Sequence, residues 1–289
     1  MIQRLLSDPK NPFTMKEMCA ALEVSRSGFY DHTHKHRGIR RMQDEVLAQE
    51  VSDAFAQSRR TYGTPRLRYE LLHRGHLCGR RRIARLMRQQ GLQALRKGRF
   101  IPRTTDSRHG RAVAPQRLLE TPPPTKPNQV WITDITYIPT KEGWLFLAAE
   151  IDLFSRSVRG WAARDNMETS LVIDALDQAV AKTPGRLAGL IHHSDQGSQH
   201  ASENFTAALA HLAMDQSMSR RANRHDNATA ESFWATLKTE CFNNTIPATR
   251  AAAKSMIFDY IETFYNPVRL HSALGFLSPV AFENQFNNN

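Results

Sequence analysis

Three carboxylates in the second half of the chain have the type and placement to hold a hard cation. Asp134 sits inside the apolar stretch WITDITY, and Asp195 ends the apolar run that opens IHHSDQGSQH. Glu231 stands near the start of a helical stretch that follows SRRANRHDNATA. A carboxylate among hydrophobic neighbours is costly unless something pairs with it, so Asp134 implies a ligand. Two aspartates on strands and a glutamate on a helix can converge across a sheet edge. Oxygen ligands of that kind suit Mg²⁺ or Mn²⁺. A pair of such ions serves in-line phosphoryl displacement, because it stabilises the attacking and leaving oxygens together. Composition alone does not single these three out: Glu150, Asp152, Asp165 and Asp226 compete. Asp152 also reads as a turn residue, and Asp226 as part of a polar loop.

The elements that must position them follow from hydrophobic patterning. QVWITDITYIP and GWLFLAAEIDLF are rich in β-branched and aromatic residues and are split by the polar turn Thr140-Lys141-Glu142-Gly143, which predicts a hairpin. SVRGWAAR is a third strand, LAGLIHH a fourth and DQSMS a fifth. Helices are expected over 168–182, after Ser202 as a cap, over about 228–241, and over about 248–265. This succession describes an α/β domain with helices covering a mixed sheet. Asp134 then lies within the first strand and Asp195 just past the fourth.

The first half differs in charge. Residues 1–123 carry 25 Lys+Arg against 11 Asp+Glu, a balance of +14; residues 124–289 carry 14 against 17, a balance of −3. An evenly basic surface would not divide this way, so the first half reads as the polyanion-binding part. Thr14 to Glu17 fits a capping box ahead of an apolar face formed by Met15, Met18, Cys19 and Leu22. Ser25 caps a second helix carrying Arg26, Ser27 and Tyr30. This is either a DNA-binding helix-turn-helix, with those three residues toward DNA, or an ordinary helical hairpin. A looser second unit begins at Thr64-Pro65, with Arg66 toward DNA and Leu67, Leu71 and Leu72 inward, and is stopped by Gly75. Gly79 then opens a helix whose Arg80, Arg81, Arg82, Arg85 and Arg88 suit phosphate contacts, with Ile83, Leu86 and Met87 inward.

The expected organisation is a helix-turn-helix region over 1–58, a second basic helical DNA-binding region over 59–98, a basic proline-rich linker over 99–123, and the α/β domain over 124–289. The three cysteines show no paired spacing, and His32, His34 and His36 have no cysteine pair beside them, so neither a disulfide framework nor a zinc module is expected. No apolar run approaches the ~20 residues that span a bilayer, and the start lacks the apolar core of a signal peptide. A cytoplasmic protein without membrane contact is expected.

WITDITY, IHHSDQGSQH, SMSRRANRHDNATAESFWATLK and YNPVRLHSALGFLSPVAF, in that order, resemble the catalytic half of insertion-sequence transposases of the IS-three family, OrfB type. TYGTPRLRYELL and RRRIARLMRQQGL resemble the segment preceding that core. The spacing fits the family, with 60 residues between Asp134 and Asp195 and 35 between Asp195 and Glu231. The resemblance implies an RNase H-like fold similar to retroviral integrases, with Asp134, Asp195 and Glu231 as the catalytic acids and Mg²⁺ ligands, two ions per site, Mn²⁺ substituting. It implies that the family's basic residue seven positions past the glutamate is Lys238, holding a DNA end. Arg269 and His271 fall in its C-terminal signature, either contacting DNA or locking the last helix. The implied activity is cleavage at terminal inverted repeats and transfer of the freed 3′-hydroxyl into target DNA. A multimer on paired ends, a nucleoid-associated bacterial setting and an upstream partner fused by frameshifting are implied as well. A silent DNA-binding repressor and a nuclease that never joins are the alternatives. Family members often carry glycine near 222, cysteine and an aromatic near 224 and 225, and tyrosine at 200; here these are Ala222, Arg224, His225 and His200.

Overall fold

The computed structural model describes residues 2–6, 11–33, 39–95, 112–185, 187–220 and 227–287. His34, His36, Ala222, Arg224, His225, Asp226 and the first part of the linker lie outside the described residues. Near the N-terminus, α1 (Ile2–Leu6), α2 (Met15–Ala21) and α3 (Arg26–Thr33) form a small core of their own around Ile2, Met18 and Cys19. The capping box is present. The Thr14 hydroxyl accepts from the Glu17 amide at 3.3 Å, and Glu17 accepts from the Thr14 amide at 2.8 Å. A cap of this kind contributes about 1 kcal/mol. The Ser25 hydroxyl accepts from the Gly28 amide at 3.0 Å and so starts α3.

A three-helix module follows: α4 (Ile39–Gln57), α5 (Thr64–His73) and α6 (Arg80–Gln89). No cap or turn motif marks α4 in the sequence, yet its Leu47, Val51, Ala54 and Phe55 form a buried helical stripe. Gly63, not Thr64, is the N-cap of α5, with Pro65 in the first turn. Leu67 and Leu71 are buried as expected, but Leu72 points to solvent at 48% exposure. It falls on the outer side because α4 and α6 cover only one stripe of α5. Ile83, Leu86 and Met87 of α6 are buried as expected.

The sheet has five strands: β1 (Val130–Thr140), β2 (Gly143–Asp152), β3 (Val158–Arg164), β4 (Ile191–Ser194) and β5 (Asp215–Met218). Their order across the sheet is β3-β2-β1-β4-β5. The first three form an antiparallel meander, while β4 and β5 run parallel to β1. The hairpin turn falls where the polar residues placed it, with Gly143 at φ 106°, a conformation that favours glycine. LAGLIHH contributes only its last residues to the ladder. Gly189, at φ 80°, turns the chain just before β4 and bonds to Ala213 ahead of β5.

Alternation along β1 and β2 divides the interior into two layers. Trp131 and Ala148 face α7 (Thr169–Lys182) and α8 (Glu203–His211), packing with Leu171, Ala175, Leu176, Phe205 and Leu209. Gly160 of β3 lets α7 lie against the sheet, since a Cβ there would meet the Ala175 carbonyl oxygen at 2.3 Å. Ile132, Leu145, Leu147 and Ile151 face the opposite layer. That layer is built from α9 (Ala228–Leu237) and α10 (Arg250–Phe258), each continued by a widened π turn, Lys238–Phe242 and Asp259–Tyr265. The chain closes with α11 (Pro279–Asn287). This is an RNase H-like arrangement, a mixed sheet with helices on both faces. No described helix is long and apolar enough to cross a membrane.

The second layer does not stop at the α/β domain. Leu47, Val51, Phe55, Tyr62, Leu67, Leu71 and Ile83 of the helical module belong to one hydrophobic cluster with Leu237, Ile257, Tyr260, Phe264 and Leu270. A chain beginning at residue 124 would expose part of that cluster. We expect a 124–289 fragment to unfold at lower temperature than a 39–289 fragment and to aggregate more readily. Equal unfolding temperatures for the two would show that the module adds nothing to the core.

Candidate active site

Each of the three candidate carboxylates is held by a different element. Asp134 lies on β1 opposite Ala149 of β2. Parallel pairing of β1 with β4 ends at Ile132 and His193, and Asp134 and Asp195 each lie two residues further along. Asp134, inside β1, and Asp195, just past the end of β4, are therefore brought side by side. Glu231, in the first turn of α9, is exposed, and α9 crosses the same face of β1. No motif in the sequence marks Trp234, one turn on from Glu231, whose indole N–H donates to Asp134 Oδ2 at 3.0 Å.

The charges of the three acids are felt at Asp134. Its carboxyl is half-buried by exposed surface, yet the surrounding fold strips enough water to push its pKa up to about 8. Desolvation is the largest cause, and the charge of Asp195 is the next; Glu231 adds to it, while the bond from Trp234 opposes it. Among the described residues, no three His, Cys, Asp or Glu side chains are gathered closely enough to enclose an ion. The triad is thus an open set of acids that repel one another.

The Asp195 loop is built around its Oδ1 atom. The Gly197 amide donates to it at 3.0 Å, and His200 Nδ1 lies 3.1 Å away. A Cβ on Gly197 would come within 2.9 Å of that same oxygen, so a larger residue there would displace the Asp195 carboxyl. His200 is 1% exposed, and its Nδ1 faces the carboxylate oxygen, which can only accept, while the other ring nitrogen has no partner among the described residues. His193 bonds Ser217 at 2.9 Å, tying β4 to β5.

Two competing carboxylates have other work. Asp152 accepts from the Asn128 and Ser155 amides at 2.6 and 2.8 Å, the turn role open to it from sequence. Glu150 is fully buried against His192, 2.8 Å away. Asp165 is exposed.

Lys238 closes α9 with helical backbone angles, φ −60° and ψ −39°, so it lies two turns from Glu231 on nearly the same face. Its ammonium is 5.1 Å from the centre of the Tyr137 ring. Burial lowers its pKa, and the nearby charge of Asp134 works against that fall.

The other residues expected to meet DNA divide into two groups. Arg26, Ser27 and Tyr30 on α3, and Arg80 and Arg81 on α6, are exposed. Arg82 and Arg85 are tied to Asp44 of α4 at 2.7 and 2.6 Å, which holds α4 against α6. Arg66 turns inward and donates to the Leu270 carbonyl at 2.8 Å. Arg269 is 5% exposed and grips both oxygens of Glu240 at 2.7 Å. His271 packs edge-on against Tyr265, and its pKa is pushed down to about 2 by burial and by the charges of Arg269, Arg66 and Arg156. Of the two roles open to Arg269 and His271 from sequence, the interior position fits locking of the last segments. Arg66, placed with the DNA-facing set from sequence, is likewise spent inside.

Comparison with known proteins follows the same division. Two family models, both described as "Integrase core domain", match residues 124–224 and 231–286, and a third, "HTH-like domain", matches 42–100. That third match spans α4, α5 and α6. The chain is 42% identical over 270 residues to the insertion element IS600 uncharacterized 31 kDa protein of Shigella sonnei, covering 93% of this chain and 98% of that relative. It is 39% identical to the transposase of insertion sequence element IS904 of Lactococcus lactis, covering 86% and 98%. It is 38% identical to transposase InsF of insertion sequence IS3A of Escherichia coli, covering 94% and 95%. Among solved structures, the HTLV-2 integrase catalytic core domain in complex with magnesium shares 18% identity at a TM-score of 0.41, over 55% of this chain and 98% of that one.

Proposed function

The chain belongs to the IS3-family insertion-sequence transposases, and from that premise we propose that it cuts and rejoins DNA at the ends of its own element, using Asp134, Asp195 and Glu231 as the ligands of divalent metal. It is a DNA transposase with an integrase-type, polynucleotidyl-transferase core. The observation that supports the finer reading is that Asp195 and Glu231 both lie near enough to Asp134 for their charges to add to the desolvation that pushes its pKa up to about 8.

The donor set fits a hard divalent cation. All its donors are carboxylate oxygens, and their uncompensated charge is what a cation relieves. When bound, two Mg²⁺ ions, or Mn²⁺ in their place, stabilise the attacking and leaving oxygens of an in-line displacement at phosphorus. Asp134, from its rigid strand, and Asp195, from its glycine-bound loop, fix one side of the site. Glu231 closes it from α9. The Lys238 ammonium holds the phosphate of the DNA end in line with that site. Water first attacks the phosphodiester at the element's end, the P–O3′ bond breaks, and a 3′-hydroxyl leaves. That hydroxyl then attacks a second phosphodiester, so one P–O bond forms as another breaks.

Recognition of the terminal inverted repeats falls to the basic first half, through the exposed arginines of α6 and the exposed face of α3. Paired ends held by a multimer, a nucleoid-associated setting and an upstream product fused by frameshifting complete the proposal. Incubation with the flanking terminal repeats and Mg²⁺, with every cut and joined end mapped, tests it against the repressor, which would bind and leave the DNA intact.

The raised pKa of Asp134 has a consequence for stability. The ordinary value is 3.8 and the folded one about 8, so the protonated group favours the fold. That contribution is complete below about pH 4 and is lost as pH climbs through about 8. We expect Mg²⁺ to raise the unfolding temperature more at about pH 8 than at about pH 5, where it must first displace the proton. An equal response at both would contradict metal binding at Asp134.

A further inference from the structure

Glu240 sits in the π turn that continues α9, two residues beyond Lys238. Its side chain is 8% exposed and fully engaged. Arg269 holds both oxygens, Tyr260 donates to Oε2 at 2.8 Å, and Arg66 approaches Oε1 at 3.9 Å. Arg66 comes from α5 of the helical module. Just ahead of α5, the Tyr62 hydroxyl donates to the Val268 carbonyl at 3.1 Å and accepts from the Leu270 amide at 2.8 Å. The segment 268–270 is thus gripped by the module on one side and holds Glu240 on the other. Outside this knot, Arg59 pairs with Asp259 at 2.5 Å, and Tyr69 stacks on Phe276 with ring centres 3.8 Å apart.

We propose that the buried Tyr62–Arg66–Glu240–Arg269 knot makes the helical module and the helix carrying Glu231 and Lys238 a single rigid unit, and thereby fixes which phosphodiester is cut. The proposal rests on the transposase reading above. The physical argument is one of distance. If α6 holds DNA through its exposed arginines, the offset between α6 and the carboxylates decides which phosphate reaches them. That offset is set by contacts that directional hydrogen bonds hold in one geometry, not by a loose apolar face alone. A π turn is one residue wider than an α turn and can slip its register, so pinning Glu240 from three sides keeps the end of α9, with Lys238, in one place. Buried charges that must stay paired resist intermediate positions. Tyr62, Arg66 and Glu240 are positioning residues in this account.

The test is single-turnover cleavage of a repeat-end duplex by the full chain, read at nucleotide resolution, with DNA affinity measured beside it. Arg66→Met keeps the stem and removes the head group; Tyr62→Phe keeps the ring and removes only the hydroxyl, and so guards against simple unfolding. Both variants should bind DNA as the wild type does and place about tenfold more product at nucleotides neighbouring the normal cut, the scale expected when a buried hydrogen bond is lost. A merely structural role would lower rate or unfolding temperature and leave the cut where it was. Wild-type cut positions in folded Tyr62→Phe and Arg66→Met would overturn the proposal and leave the transposase reading standing. A wild-type chain that binds the repeats and cuts nothing would overturn both.

Discussion

Asp134→Asn, Asp195→Asn and Glu231→Gln should each reduce cleavage and joining to background while DNA binding persists. Each change keeps the shape of the side chain and removes a negative charge from the proposed metal site. The loss should exceed the ~10–100-fold that changes outside the ligand shell cost, because a ligand itself is removed. Asp134→Asn carries a second expectation. The carboxyl it replaces is disfavoured in its charged form by burial and by Asp195, and an amide oxygen can still accept from Trp234. The variant should therefore unfold at or above the wild-type temperature near neutral pH. A dead but fully stable Asp134→Asn is the signature of a residue kept for chemistry. Normal joining by any of the three variants would remove that residue from the site.

Lys238→Ala should slow end processing by about 100-fold, the scale of a small misplacement of reacting groups, with little change in DNA affinity. One lysine among 39 Lys+Arg adds little to diffuse attraction. The position of Lys238 sharpens this expectation. Its ammonium is partly desolvated beside Tyr137 and within reach of the charge on Asp134, so it is not an ordinary solvated surface lysine. Lys238→Arg should keep part of the rate, since the charge remains while the head-group geometry differs. Single-turnover cleavage alongside binding at fixed salt checks both. Wild-type cleavage by Lys238→Ala would show that the lysine serves only the surface.

Much of this architecture was legible because its signals are local. The Thr14–Glu17 capping box, the Thr140–Gly143 turn and the Ser202 cap each depend on a few adjacent residues, and each appears where expected. The mixed sheet followed from strand-like runs in sequence order. What was missed depends on residues far apart in the chain. The stripe of Leu47, Val51, Ala54 and Phe55 has helical spacing and could have disclosed α4, but its surroundings are polar and charged. Arg66 and Arg269 look like DNA ligands because arginine usually faces water. Arg66 turns to the Leu270 carbonyl and Arg269 to Glu240, partners far along the chain that no short motif reports. Trp234 carries no motif signal, and only the fold brings its N–H to Asp134. The π turns after α9 and α10 have no sequence signature comparable to a cap, so both helices were expected to run on unbroken.

The measurement that bears most directly on the central claim is strand joining. A duplex representing the element's end, already cut to expose its 3′-hydroxyl, is incubated with the full chain, Mg²⁺ and a second DNA. The account predicts a new covalent junction between that 3′ end and the second strand, dependent on Mg²⁺ or Mn²⁺ and absent with Glu231→Gln. Binding of the end without any junction, or cutting of the DNA with no transfer of the 3′-hydroxyl, would contradict it.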